Sequence, residues 1–249
     1  MGKRFVLVTG SSRGIGRAIV KELAHDGYTV FVHCKSQIEK AKKVVSEIKE
    51  IGGVAYVLEG DITKESDVER IFTEISKITD HLDVLVNNAG FDYGYLIEDY
   101  TIDQMRELVE LILIARFSTT KYALPLLKKS PYPSIINIAS RMGREKTIET
   151  VGPYASAEAG IIKFTQCCAL EFRKYQIRVN AIAPGFTDTD LTRNLIKDAG
   201  VWERAAKANP RGRLGKPEDV AKAVSFLVSE KADYINGETI SVTGGSSLG

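Results

Sequence analysis

Cysteine is scarce in this 249-residue chain, and its arrangement suits neither cross-linking nor metal binding. Cys34, Cys167 and Cys168 form no C-x-x-C pair and no cysteine–histidine cluster. An odd count with these spacings excludes a disulfide scaffold and a structural zinc site. We therefore expect buried free thiols in a reducing compartment and no metal.

Long apolar runs and an excess of one charge are also missing. No stretch approaches the length of a transmembrane helix, and the basic start of the chain precedes no apolar signal core. The net charge is +2, so nothing points to nucleic acid or a membrane surface. No repeat or Pro/Gly-rich linker divides the chain. These absences predict a cytoplasmic protein folded as one domain over residues 1–249.

What the chain does have is a regular alternation of strand-length apolar runs and amphipathic helical patterns. Strands are predicted at Phe5–Val8, Thr29–Val32, Val54–Leu58, Asp83–Val86, Ile135–Ala139, Arg178–Ala183 and Thr239–Val242. Helices are predicted at about 14–26, 38–51, 65–79, 102–128, 154–175 and 217–229. Continuous apolar strands alternating with helices are typical of parallel sheets covered on both faces. The pattern predicts an α/β fold with a doubly wound, Rossmann-type sheet of seven parallel strands.

A glycine-rich loop, Thr9 to Gly16, joins the first strand to the first helix with the spacing T-G-x-x-x-G-x-G. Glycines there let the backbone approach a pyrophosphate, which the helix N-terminus attracts. In this position the loop predicts nucleotide binding.

The second strand ends in His33-Cys34-Lys35-Ser36, without the acid that would accept the ribose 2′-hydroxyl of NAD. Arg13, Lys35 and Ser36 favour the 2′-phosphate of NADP, although one lysine is also commonly just solvated.

Two further strand ends carry polar or small residues. Asp61 ends the third strand, where it either accepts from an adenine amine or caps the next helix. Asn87-Asn88-Ala89-Gly90 ends the fourth strand, where small residues would let a cofactor come close. Ser140 ends the fifth strand, and Tyr154 begins a helix beyond it. These positions place two hydroxyl side chains beside the predicted nucleotide site.

These motifs, with Pro184-Gly185 after the sixth strand, resemble those of the short-chain dehydrogenase/reductase family in type and order. The tail Pro210 to Val220 and Asn236 to Thr239 is most similar to 3-oxoacyl-[acyl carrier protein] reductases. The resemblance implies an NADP-dependent ketone reductase, acting on a small or carrier-bound substrate such as a 3-oxoacyl thioester of fatty acid biosynthesis. It implies a tetramer built through helices 102–128 and 154–175, and a substrate lid at about 189–213.

The resemblance also implies site roles. Tyr154 matches the general acid and Ser140 the residue that polarises the carbonyl. The implied cofactor contacts are Gly10, Ser12, Arg13, Gly14, Ile15, Gly16, Lys35, Ser36, Asp61, Ile62, Asn88, Ala89, Gly90, Tyr154, Glu158, Pro184, Gly185, Thr187 and Thr189. The hydroxyl of Thr189 would meet the nicotinamide carboxamide.

Glu158 stands where the family has a lysine, four residues after the tyrosine. That lysine lowers the tyrosine pKa, ordinarily near 10, and binds the nicotinamide ribose. A cation about 4 Å away contributes ~4 kcal/mol at an effective dielectric of about 20, whereas a carboxylate acts in the opposite direction. We therefore expect Glu158 to accept from ribose hydroxyls but not to activate Tyr154.

A second family position is altered in the long helix before the fifth strand. Alignment on Phe117 places Ile112 where the family has an asparagine that holds a proton-relay water. Among possible substitute cations, Lys163 falls on the opposite side of its helix from Tyr154. Arg141 and Lys146 lie in the preceding loop and either swing inward or stay solvated.

These departures leave two hypotheses. The chain is either an NADP-dependent reductase with a weakened proton relay, or a weakly active or non-catalytic nucleotide-binding subunit. The second form would pair with an active paralogue in a hetero-oligomer.

Overall fold

The computed structural model describes residues 2–145 and 147–247. The strands are β1 Arg4–Val8, β2 Tyr28–Cys34, β3 Ala55–Glu59, β4 Val84–Asn87, β5 Ser134–Ile138, β6 Arg178–Pro184 and β7 Thr239–Val242. The α-helices are α1 Gly14–His25, α2 Ile38–Glu50, α3 Glu65–Ser76, α4 Ile102–Val109, α5 Ala115–Leu127, α6 Gly152–Glu171, α7 Asp190–Leu195, α8 Ala199–Ala208 and α9 Pro217–Val228.

The strands form one parallel sheet in the order β3-β2-β1-β4-β5-β6-β7. The predicted α/β class and seven-stranded parallel sheet are thus confirmed. The order reverses between β1 and β4, and the loops after these two strands diverge there. Such a switch point leaves a crevice at the carboxyl ends of the strands, where ligands of doubly wound folds bind.

Two apolar layers sandwich the sheet because alternate residues of each strand point to opposite faces. Val6 and Val8 of β1 pack with α1, α2 and α9, whereas Phe5 and Leu7 pack with α3, α5 and α6. All four side chains are buried. This double coverage explains why the strands read as unbroken apolar runs.

The helix predicted over 102–128 is interrupted. It begins with a capping box, in which Thr101 accepts from the backbone of Gln104 and the Gln104 side chain accepts from Thr101. The segment Glu110–Ile114 is then a π-helix, after which α-helical geometry resumes in α5. A π segment inserts an extra residue into the turn and is frequent at functional sites.

Other expectations need smaller corrections. Cys34 and Cys168 are buried as expected, but Cys167 is exposed because it lies on the outer face of α6. Pro217 occupies the first turn of α9, with acidic side chains beside it, as the sequence predicts. None of the helices in the described ranges is long and apolar enough to cross a membrane.

Candidate functional site

A cavity of about 550 Å³ opens at the carboxyl ends of the strands, beside the reversal of strand order. Its wall runs from the glycine-rich loop to Ser140 and Glu158. Ser140 and every predicted cofactor position line it, so the fold brings together all of these residues. Ile112 is different because it is fully buried in the core beneath. The size falls within the range of ordinary ligand sites, about 300–1,000 Å³.

The glycine-rich loop is held directly against the end of β4. Asn88 Nδ2 donates to the carbonyls of Thr9 and Gly10, and Thr9 Oγ1 accepts from the backbone of Asn88 and Ala89. A Cβ on Gly10 would lie 2.9 Å from Ala89 Cα, so only glycine allows this approach. The backbone and the N-terminus of α1 therefore line the cavity without obstruction, which fits a nicotinamide dinucleotide bound by its pyrophosphate.

His33 holds the glycine-rich loop in place, a role that the sequence did not reveal. Its Nδ1 accepts from Gly10 N at 3.0 Å, and its Nε2 lies 3.0 Å from the Gly60 carbonyl. These contacts require a neutral ring with the proton on Nε2. Burial lowers the pKa of His33 to about 4, against a smaller opposing effect of the Gly60 carbonyl. His33 therefore stabilises the loop only while it is neutral.

This burial predicts a loss of stability in acid. The unfolded histidine has a pKa of 6.5 and the folded one about 4, so the unfolded state binds the proton first. The stabilisation is complete above pH 6.5 and is lost as the pH falls towards 4, by about 3.5 kcal/mol at ~1.4 kcal/mol per pK unit. Urea unfolding at pH 7 and pH 4.5 measures this loss. His33→Asn should lose less than the native chain between the two values. An equal loss would contradict the assignment.

The end of β2 carries an ion pair between two of the residues predicted to bind the cofactor. Lys35 Nζ lies 2.9 Å from Asp61 Oδ2, and Asp61 Oδ1 accepts from Thr63. Burial raises the pKa of Asp61, but hydrogen bonds from Lys35 and Thr63 outweigh it and lower the value overall. Asp61 caps this turn and not α3, whose N-cap is Lys64. Lys35 thus lies at the cavity with a partner, although its side chain is 65% exposed.

Ser140 and Tyr154 lie on the same wall of the cavity. Ser140 Oγ accepts from Met142 N at 3.2 Å, which leaves its own proton available to a carbonyl oxygen. Burial, and next the Glu158 carboxylate, raise the pKa of Tyr154 above its ordinary value, while the Ser140 hydroxyl and Arg116 oppose this only in part. Tyr154 therefore keeps its proton at neutral pH.

Glu158 has a cationic partner that the sequence did not suggest. Arg116 Nη1 lies 3.2 Å from Glu158 Oε2, and Nη2 lies 3.4 Å from Oε1. Arg116 is only 1% exposed and Glu158 only 2%. Burial raises the pKa of Glu158 overall, although the guanidinium and the Tyr154 hydroxyl oppose that effect in part. The position of the family lysine thus carries a buried ion pair, and its guanidinium offsets only part of the effect of Glu158 on the pKa of Tyr154.

Arg141 and Lys163, two of the cations considered from the sequence, do not fill this place. Arg141 is half-buried and donates to Ser246 Oγ at 2.9 Å, away from the Tyr154 hydroxyl. Lys163 is exposed and donates to Gln166, as its helical position predicts. Lys146 lies outside the described residues.

Arg116 was missed because isolated arginines in helices usually reach solvent. A signal was nevertheless present. Leu108, Ile112 and Arg116 are spaced by four residues, which places all three on one helix face. Leu108 and Ile112 pack against Ala157 of α6, so a side chain one turn later faces α6 as well.

An aromatic wall beside the site was also missed. Phe91 lines the cavity and contacts Tyr93 edge-on, with ring centroids 5.1 Å apart, and Tyr93 stacks on Tyr95 at 5.6 Å. The Tyr93 hydroxyl donates to Glu107, which lines the cavity too. The density of aromatics between Phe91 and Tyr100 was visible in the sequence, but not its position.

The predicted lid region contains α7 and α8. Thr189, expected to meet a carboxamide, caps α7 by accepting from Thr192 N at 3.3 Å while also lining the cavity. Phe186 and Trp202 pack with ring centroids 5.0 Å apart, which joins α8 to the end of β6.

Comparison with known proteins matches this geometry. Residues 10–247 match a family model described as enoyl-(acyl carrier protein) reductase. A 3-oxoacyl-[acyl-carrier-protein] reductase of Aquifex aeolicus is 39% identical over 240 residues, covering 96% of this chain and 95% of the relative. A gluconate 5-dehydrogenase of Burkholderia cenocepacia, solved with NADP and tartrate, has a TM-score of 0.92 at 28% identity, covering 100% and 97% of the two chains. A Pseudomonas aeruginosa RhlG/NADP complex also has a TM-score of 0.92, at 29% identity, covering 100% and 98%.

Proposed function

Because this chain belongs to the short-chain dehydrogenase/reductase family, an oxidoreductase family, we propose that it is an NADP-dependent reductase that converts a ketone to an alcohol. One observation carries the proposal. Two hydroxyl donors, Ser140 and Tyr154, share the wall of a cavity with a glycine-rich loop that opens α1. Hydride chemistry on a carbonyl needs a nucleotide site and oxyanion donors together.

The residues of the chain would act as follows. NADPH, when bound, supplies the hydride. Ser140 donates a hydrogen bond to the carbonyl oxygen, and Tyr154 gives its proton to the alkoxide that forms. The nearby cation, Arg116, is paired with Glu158 and therefore does not promote this transfer. Tyr154 then acts as a weak acid without help from a neighbouring cation.

The proposal is tested by NADPH oxidation with a short 3-oxoacyl thioester. We expect slow turnover by the native chain, and a loss of about 10²-fold in kcat for Tyr154→Phe. This is the lower end of the range for general acids, because a phenol with a raised pKa transfers its proton poorly. NADPH affinity, followed by fluorescence, serves as the control and should change less than about threefold. Equal turnover in both proteins would contradict the role of Tyr154.

NADP is the proposed preference, supported by Lys35, Arg13 and the lack of an acid at the end of β2. Lys35→Ala should weaken NADPH binding about 10-fold, the effect of ~1.4 kcal/mol from one charge-assisted contact. NADH binding should not change, because NADH has no 2′-phosphate. Titration of both dinucleotides checks this. Tighter NADH binding by the native chain would refute the preference.

We propose a 3-oxoacyl thioester, free or on a carrier protein, as the substrate class, and residues 189–213 as the lid, by the likeness to the Aquifex relative. Lys128 and Lys174 both lie over the Tyr175 ring, at 4.0 and 5.0 Å from its centroid. The basic pairs Lys128–Lys129 and Arg173–Lys174 therefore lie close together, which suits an acidic carrier. Exposed Ile114 and Leu170, on the helices predicted to form the oligomer, support a homotetramer. We propose a role in fatty acid biosynthesis and a cytoplasmic location on the same grounds.

A second candidate, a non-catalytic or weakly active nucleotide-binding subunit, is favoured by the closed Arg116–Glu158 pair. Its prediction is NADPH binding without turnover. A hetero-oligomer with an active paralogue would then supply the catalytic site.

A further inference from the structure

The guanidinium of Arg116 joins three elements that carry the cavity. Nη1 donates to the carbonyl of Ile138, at the end of β5, at 2.8 Å. Nη2 donates to the carbonyl of Ala89, just after β4, at 3.2 Å. Both nitrogens also contact Glu158 of α6. Ile138 is two residues before Ser140, and Glu158 is one turn after Tyr154, so one side chain connects the supports of both hydroxyl donors.

The groups around this pair determine which side chain donates and which accepts. Two backbone carbonyl oxygens face residue 116, so only a donor can occupy that position without leaving them unsatisfied. Glu158 presents both carboxylate oxygens to the guanidinium, at 3.2 and 3.4 Å. The Nε of Arg116 is buried and has no acceptor within the described part of the chain.

Both side chains also line the cavity. Arg116 and Glu158 form its wall together with Gly90 and Tyr154. A Cβ on Gly90 would lie 3.3 Å from Arg116 Nη2, so the guanidinium fills the space beside the glycine. The pair therefore borders the cavity, although Arg116 is only 1% and Glu158 only 2% exposed.

We propose that Arg116 is a positioning residue that acts through Glu158: it fixes the carboxylate at the cavity wall, where the carboxylate accepts hydrogen bonds from the ribose next to the nicotinamide. This role rests on the proposed function. Where the family has a lysine that donates to this ribose, the chain has a carboxylate that accepts, and ribose hydroxyls can pair with either. Arg116 compensates the buried charge and holds the wall, and it does not itself touch the cofactor.

The test is NADPH binding, followed by fluorescence titration, in variants of the pair. Arg116→Met/Glu158→Met removes both charges at similar volume and is expected to fold. Its Kd for NADPH should rise at least about 10-fold, the effect of ~1.4 kcal/mol from lost charge-assisted bonds. Arg17→Met/Glu47→Met removes a different ion pair, between α1 and α2 and outside this cavity, and should stay within about twofold of the native chain.

Two single variants refine the assignment. Glu158→Gln keeps one acceptor oxygen and should bind NADPH about 3- to 10-fold more weakly, consistent with a contact of ~1 kcal/mol. Arg116→Lys keeps the charge but loses the fork that contacts two carbonyls and the carboxylate together. Its NADPH affinity should fall between those of the native chain and the double variant.

The possible outcomes separate a functional role of the pair from a purely structural one. A folded double variant that binds NADPH within twofold of the native chain would show that the pair is only structural. If the double variant does not fold, Glu158→Gln decides in the same way, since unchanged affinity would also overturn the role. If the native chain binds neither NADPH nor NADH, the proposed function falls, and this role falls with it.

Discussion

Arg116→Met is expected to lower the free energy of unfolding by about 3–5 kcal/mol, the typical cost of leaving one partner of a buried ion pair alone. The substitution strands the Glu158 carboxylate, which is 2% exposed, and removes the donors to two backbone carbonyls. For a chain of this size, each kcal/mol lowers Tm by about 2–4 °C. We therefore expect Tm to fall by roughly 6–20 °C at pH 7.

Urea unfolding of the single and double variants measures the coupling. Arg116→Met/Glu158→Met should recover the part of the loss that comes from the stranded carboxylate, because replacing both charges by apolar groups is often neutral or stabilising, whereas the two backbone carbonyls stay without their donor. The single variant should also recover as the pH is lowered, since a carboxyl group that takes up a proton no longer needs the guanidinium. If the single and double variants were equally unstable, lost packing and not charge would be the cause.

A triple variant, Arg116→Leu/Glu158→Lys/Ile112→Asn, is expected to raise kcat about 10²- to 10³-fold. It restores the family arrangement in which a lysine lies near the tyrosine. A cation at about 4 Å contributes ~4 kcal/mol at an effective dielectric of about 20, or roughly three pK units on the tyrosine, of which proton transfer uses a part. The native chain should show no loss of reductase activity up to about pH 10, because the pKa of Tyr154 is raised. In the triple variant, activity should decline at lower pH.

The removal of Arg116 is essential to this design. Glu158→Lys/Ile112→Asn alone would place two cations side by side in a buried site, and we expect that protein to be unstable. The triple variant carrying Tyr154→Phe is the matched control and should lose the gain. A stable triple variant that binds NADPH but gains no activity would mean that the proton relay is not what limits turnover, and a wrong substrate becomes the simpler explanation.

Much of the fold was predictable because its signals are local. Apolar runs such as Phe5–Val8 lie in buried strands within a residue of their predicted bounds. The glycine-rich loop after β1 and the hydroxyl residues at the end of β5 and the start of α6, which the sequence singles out, line one cavity. The break in the helix at Glu110–Ile114 was not predictable, because a π segment conserves both helical propensity and apolar content.

The sequence by itself determined the doubly wound class, the positions of the site residues along the chain, and the charge reversal at Glu158. Each depends on residue type, spacing and strand direction, which the chain carries locally. Only the tertiary structure decided what that reversal means. Arg116 is 42 residues away from Glu158 along the chain. Their contact exists because α6 packs against α4 and the Glu110–Ile114 segment that leads into α5, and Phe117 of α5 contacts Phe164 of α6. Whether a buried carboxylate has a cationic partner depends on such long-range packing, and the residue type at one position does not show it.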